Sequence, residues 1–158
     1  MDWLGLTSQQ EIVKFSALGD FERTTKVYTD STCSSLAAEL VATGTFDTLG
    51  ASSQVSGSDD INLTVTSATA TTQNDLGKNA LNAVNFCGSS AWVNGEKVSV
   101  LERDCIGSWR KGSVIFDIYR LDDSNKKLIF GRHSFFQDKR DAASRPDALD
   151  GANPLTLG

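Results

Sequence analysis

Three cysteines and one histidine are the residues of this 158-residue chain best suited to covalent chemistry. Cys33, Cys87 or Cys105 could act as a nucleophile only as a thiolate, which needs a neighbouring base, and His133 is the single imidazole on offer. Nothing in the sequence brings His133 to a cysteine. It falls on an expected strand between Arg132 and Ser134-Phe135, where an exposed histidine needs no further role. There is no CxxC pair, no CxxCH haem attachment and no histidine cluster. No catalytic residue, no metal site and no cofactor is therefore expected, and an enzyme is the least favoured reading.

The carboxylates say little more. Asp59-Asp60 and Asp122-Asp123 sit among turn formers, and neither supplies the alternating oxygens that a calcium loop requires. Asp117 interrupts the apolar run from Val114 to Tyr119. Facing inward it would need Arg120 or a backbone donor, so exposure to water is the simpler expectation. Cys87 and Cys105 flank a short expected strand. A bridge between them would contribute roughly 3 kcal/mol on the chain-entropy model. Two buried thiols are the alternative, and Cys33, in a turn, is left over. One pair plus one thiol fits an exported domain, and three buried cytosolic thiols fit nearly as well.

Five aromatics gather in the C-terminal half: Trp92, Trp109, Phe116, Tyr119 and Phe130. Pointing inward in a β-barrel, such rings either fill the core or line a ligand cavity, and these five are the pocket candidates. The formal net charge of -5 disfavours a nucleic-acid partner. No run of 18 apolar residues exists, so no membrane span is expected.

The elements that must position these residues are mostly strands. Asp60 to Ala70 alternates strictly, with Ile61, Leu63 and Val65 on one face. Glu11 to Phe15, Phe21 to Tyr28, Leu40 to Leu49, Lys97 to Glu102, Ser113 to Leu121 and Lys127 to Phe136 complete seven expected strands. Turn formers at Gly19-Asp20, Thr29 to Ser35 and Asp122 to Asn125 separate several of them. Asn74 to Phe86 instead spaces Leu76, Ala80 and Val84 along a short helix, with Leu81 beside them and Gly77 weakening it. Thr72 or Asn74 can cap its start, and Gly88 follows its end. Residues 137–158 are charged and weakly patterned, and read as a surface-hugging tail. The expected fold is all-β with one short helix: a single domain, its core about 11–136, built as an antiparallel up-and-down β-barrel. Closure would leave no bare edge, and a sandwich is the rival architecture.

Lys26-Val27-Tyr28-Thr29-Asp30-Ser31-Thr32-Cys33, Ile61-Asn62-Leu63-Thr64-Val65-Thr66 and Phe86-Cys87-Gly88-Ser89-Ser90-Ala91-Trp92 together look familiar. So do Phe116-Asp117-Ile118-Tyr119 and Arg145-Pro146-Asp147-Ala148-Leu149. From about residue 20 to 150 the chain resembles bacterial exported relatives of the adenomatous-polyposis-coli-down-regulated Wnt inhibitor domain. The resemblance implies a calycin-like, lipocalin-like barrel in the periplasm or cell envelope, of lipoprotein type, with an apolar pocket suited to a lipid chain in the animal relatives. A further cysteine usually follows an N-terminal Gly-x-Trp in that family. The matching stretch here, Trp3 to Gln9, has none, which leaves Cys33 without its expected partner.

Met1 to Leu6 carries neither a basic region nor a long apolar one, so a mature chain with an added methionine is expected, with any lipid anchor absent from it. The function expected is non-enzymatic binding of a small apolar or lipidic ligand. The alternative is an envelope interaction module with a filled barrel.

Overall fold

A computed structural model of the chain describes residues 5–103, 113–122, 124, 126–132, 142–152 and 154–156. Eight strands and one α-helix run in the order β1 (Ser8–Phe15), β2 (Asp20–Tyr28), β3 (Leu36–Ala51), β4 (Asp59–Thr72), α1 (Asp75–Ala83), β5 (Lys97–Ser99), β6 (Val114–Asp122), β7 (Lys127–Phe130) and β8 (Leu155–Thr156). Short 3-10 turns occupy Phe86–Gly88 and Ala142–Ser144. The hydrogen-bonded order is β1-β2-β3-β4-β6-β7-β8, with β5 also on β4. β4 pairs antiparallel with β5 along Thr69–Thr71 and with β6 along Asp59–Thr64, so one long strand serves two partners in succession. The fold class is all-β, antiparallel and barrel-like, with one helix. β3 is longer than expected because Leu36 to Glu39, with two alanines of low strand propensity, also joins the sheet. β7 stops at Phe130, and residues 133–136 of that expected strand lie outside the described residues.

Two compact units divide the chain. The first comprises Met1–Lys14, Glu22–Thr43 and Thr66–Lys111. Its main apolar cluster joins Ala38, Ala68, Ala70, Leu81, Cys87, Trp92 and Val100, and a second one joins Leu6, Ala37 and Ala80. Small residues on β3 and β4 let α1 lie close against them. The helix starts where Asn74 Oδ1 accepts from Gly77 N–H at 2.9 Å, so Asn74 and not Thr72 is the cap. Its buried face is Gly77, Ala80 and Leu81, while Leu76 and Val84 stay 44% and 37% exposed. This corrects the expected face by one position, and Gly77 is the reason. A Cβ there would lie 2.7 Å from the Ala37 carbonyl carbon and nearer still to its oxygen. The helix ends at Val84, Asn85 turns left-handed at φ 51°, and Gly88, the glycine expected to follow the end, also has a positive φ of 69°.

The second unit comprises Phe15–Phe21, Gly44–Val65 and Gly112–Gly158. Ile61, Leu63 and Val65 are buried as their alternation predicts, with Leu63 opposite Ile115 and Ile61 opposite Asp117 of β6. Phe15 packs edge-on against Phe46, centroids 4.7 Å apart, and stands 6.3 Å from Phe130. The described part of the expected surface-hugging tail joins the core and the sheet. Pro146 is among the fully buried side chains, and β8 pairs with β7 through Leu128↔Leu155 and Lys127↔Thr156.

Candidate functional site

A polar centre of the second unit grows from Arg145-Pro146. Proline favours an extended residue before it, and Arg145 follows the 3-10 turn Ala142–Ser144. Its planar fork then reaches four partners. Nη1 donates to Ile61 O at 3.0 Å and, at shorter range, to Asp117 O, while Nη2 donates to Asn62 Oδ1 at 2.7 Å. Nε lies 3.4 Å from Asp60 Oδ2, and the guanidinium carbon sits 5.4 Å from the Phe116 ring centroid. The Arg145 side chain is 9% exposed. Asp60 Oδ1 is buried with no hydrogen-bond partner.

Asp117 completes the centre and overturns the expectation that it faces water. It is 2% exposed, and its Oδ1 accepts from Ile118 N–H at 2.8 Å and Gly131 N–H at 3.1 Å. Backbone donors therefore meet it, as an inward carboxylate requires, while Arg120 is exposed. Gly131 is small for a reason: a Cβ there would stand 2.6 Å from Asp117 Oδ1 and 2.5 Å from Pro146 Cβ. With its donors turned onto carbonyls and side chains of β4 and β6, Arg145 works as a brace. Neither Arg145 nor Asn62 was singled out as a site residue from the sequence. Only the Arg-Pro pair inside a charged stretch could have signalled that this stretch docks.

Of the five aromatic candidates, Trp92 belongs to the first unit and three others to the second. Trp92 lies in the apolar cluster of the first unit, 3% exposed. Its main-chain N–H donates to Asn82 Oδ1 at 2.8 Å, and its indole N–H donates to Ser89 O at 3.1 Å and Phe86 O at 3.3 Å. Every polar group of the ring is thereby satisfied, which suits a core residue. Phe116, Tyr119 and Phe130 belong to the second unit and are half-buried. Phe116 carries the Arg145 cation, and Phe130 faces Phe15. Tyr119 pairs with Phe130 across β6 and β7. Burial first, and the Asp59 carboxylate second, push its phenol above the ordinary value of 10.0. Trp109 lies outside the described residues.

Of the cysteines, Cys87 is buried at 4% and takes a left-handed conformation at φ 53°, while Cys33 is an exposed free thiol. Cys105 and His133 lie outside the described residues. Cys33 sits in a tight loop organised by Asp30. That carboxylate accepts from Thr32 Oγ1 at 2.5 Å, Ser34 N–H at 3.1 Å and Ser35 N–H at 2.5 Å. The Thr32 hydroxyl, then the Ser34, Ser35 and Thr32 amides, hold the Asp30 carboxyl well below the usual carboxylate range. The first unit also holds a cavity of about 10 Å3 among Arg23, Thr25, Leu40, Ala68, Thr69 and Val100. That is room for a single water. Arg23 there is paired with Glu11 at 2.5 Å. No group of metal-ligating side chains occurs among the described residues. No protein-family model matches the chain, and no curated protein matches it either.

Proposed function

We propose that this chain is a non-enzymatic protein of the cell envelope whose outer surface does its work, as a protein-interaction module with a filled interior. The observation that carries the reading is the fate of the aromatic candidates. Trp92 is spent on the core of one unit, and Phe116 is covered by the Arg145 guanidinium in the other. The cavity among the described residues of the first unit, about 10 Å3, adds weight there, because a lipid chain needs tens of times more room. The envelope location rests on the resemblance to exported relatives of the Wnt inhibitor domain. A Cys87–Cys105 bridge belongs to the same proposal, supported by the burial of Cys87 beside a free, exposed Cys33. Thiol titration of protein made under oxidising conditions should then find one reactive cysteine, and three would refute the bridge.

The second reading is a small apolar or lipidic ligand, favoured by the partly exposed ring group of Phe15, Phe46 and Phe130. Native mass spectrometry separates the two. A bare mass from protein that also rejects fatty-acid probes supports the interaction module. A co-purifying ligand of hundreds of daltons overturns it.

A further inference from the structure

Residues 145–150 run along the outer edge of β7 and just beyond it. Arg132 N–H donates to Ala148 O at 2.8 Å, Asp150 N–H donates to Phe130 O at 2.8 Å, and Gly131 and Leu149 form an isolated antiparallel bridge. Burial in this segment is deepest in its first two residues, Pro146 being under 2% exposed and the Arg145 side chain 9%, while Ala148, Leu149 and Asp150 are half-buried. Asp147 is exposed, as are Ala142 and Ala143 before the segment and Gly151 and Ala152 after it. Among the described residues, this anchor and the edge contact are therefore bounded by exposed chain on both sides. The anchor is also incompletely matched. Arg145 Nε stands 3.4 Å from Asp60 Oδ2, beyond the usual reach of a charge-assisted bond, and Asp60 Oδ1 is buried without a partner.

We propose that residues 145–150 are a strap, latched by Arg145 and Pro146, that opens as a unit while the sheet beneath it stays formed. A segment bounded by exposed chain and held outside the main ladders opens locally at lower cost than the global transition. An uncovered strand edge is a template for pairing, so the strap controls when the Phe130–Arg132 stretch of that edge is bare. The proposal goes beyond the interaction-module reading and does not depend on it.

Two adjacent amides make the test sharp. Gly131 N–H donates inward, to Ile118 O at 2.9 Å and to Asp117 Oδ1, so it reports on the sheet. Arg132 N–H donates outward to the strap. Native-state hydrogen exchange of the full chain in low denaturant should show Arg132 and Asp150 exchanging together. Their rate should be at least about tenfold above that of Gly131 and nearly independent of denaturant. Arg145→Lys, whose single ammonium cannot fork between two carbonyls and Asn62, should raise the Arg132 and Asp150 rates by about a further tenfold. It should leave Gly131 and Val65 nearly unchanged. Exchange of Arg132 at the Gly131 rate in the unsubstituted chain overturns the strap. So does an Arg145→Lys effect spread equally over Gly131 and Val65.

Discussion

Gly77→Ala sets two well-measured effects against each other, and the structure decides the sign. In an exposed helix interior the change is stabilising by about 1 kcal/mol, because alanine has less backbone freedom to lose. Gly77 is buried, however, and its Cα faces the Ala37 carbonyl of β3, a residue with 0% exposure. The added methyl would meet the carbonyl carbon at 2.7 Å and the oxygen closer still, and neither atom belongs to a flexible side chain. Relief requires α1 to back away, which disturbs the Gln73 N–H bond to that same oxygen, 2.8 Å long. Overpacking of this kind costs typically 1–3 kcal/mol, and a weakened buried hydrogen bond adds about 1. After subtracting the propensity gain, a net loss of about 1–3 kcal/mol is expected. Urea unfolding followed by far-ultraviolet circular dichroism, with the slope unchanged, reads it directly. Asn79→Ala, a non-capping position on the same helix, shows what propensity alone does. If Gly77→Ala is as stable as the parent or more so, the close approach of α1 to β3 is wrong.

Asp117→Ala strips the side-chain acceptor from the buried Ile118 amide and one of two acceptors from that of Gly131, and should cost about 1–3 kcal/mol in the same assay. Asn82→Ala leaves the buried Trp92 N–H unanswered and should lower stability by a similar 1–3 kcal/mol, with a red-shifted tryptophan emission on loosening. Asp30 is held below its ordinary value of 3.8 in the folded chain, so its contribution is present above that value and disappears as pH falls through the lower folded one. Asp30→Asn should therefore be less stable than the parent at neutral pH, with the gap closing in strong acid. A gap independent of pH would contradict this. The Tyr119 phenol should titrate above 10.0 by ultraviolet difference spectroscopy and move back towards it in Asp59→Asn.

Much of the sheet was legible because its side chains announce it. Ile61, Leu63 and Val65 alternate without interruption, and each is buried at 2% or less. The helix was legible in position and misread in orientation, because Gly77 scores as a weak helix former and its missing side chain is what packs. The front of β3 was hidden by Ala37 and Ala38, which carry little strand preference yet are buried at 0% and 1%. The polar centre was the least legible part. Arg145 meets Ile61 and Asn62 more than 80 residues away, and no local pattern encodes a contact at that separation. Asp117 misled for a related reason. A carboxylate in an apolar run faces water by default, and the amides of Ile118 and of Gly131, a strand away, help it turn inward.

Phe15 ends β1, the first strand of the hydrogen-bonded order, and Phe130 ends β7, next to its far end. Where these two meet, the join is made by benzene faces, with no main-chain ladder between β1 and β7 among the described residues. Rings confer cohesion without a fixed registration, since one aromatic can glide over another at small cost while a slipped ladder loses every bond at once. A small slide of Phe15 against Phe130 should therefore cost less than slipping either strand against its hydrogen-bonded neighbour.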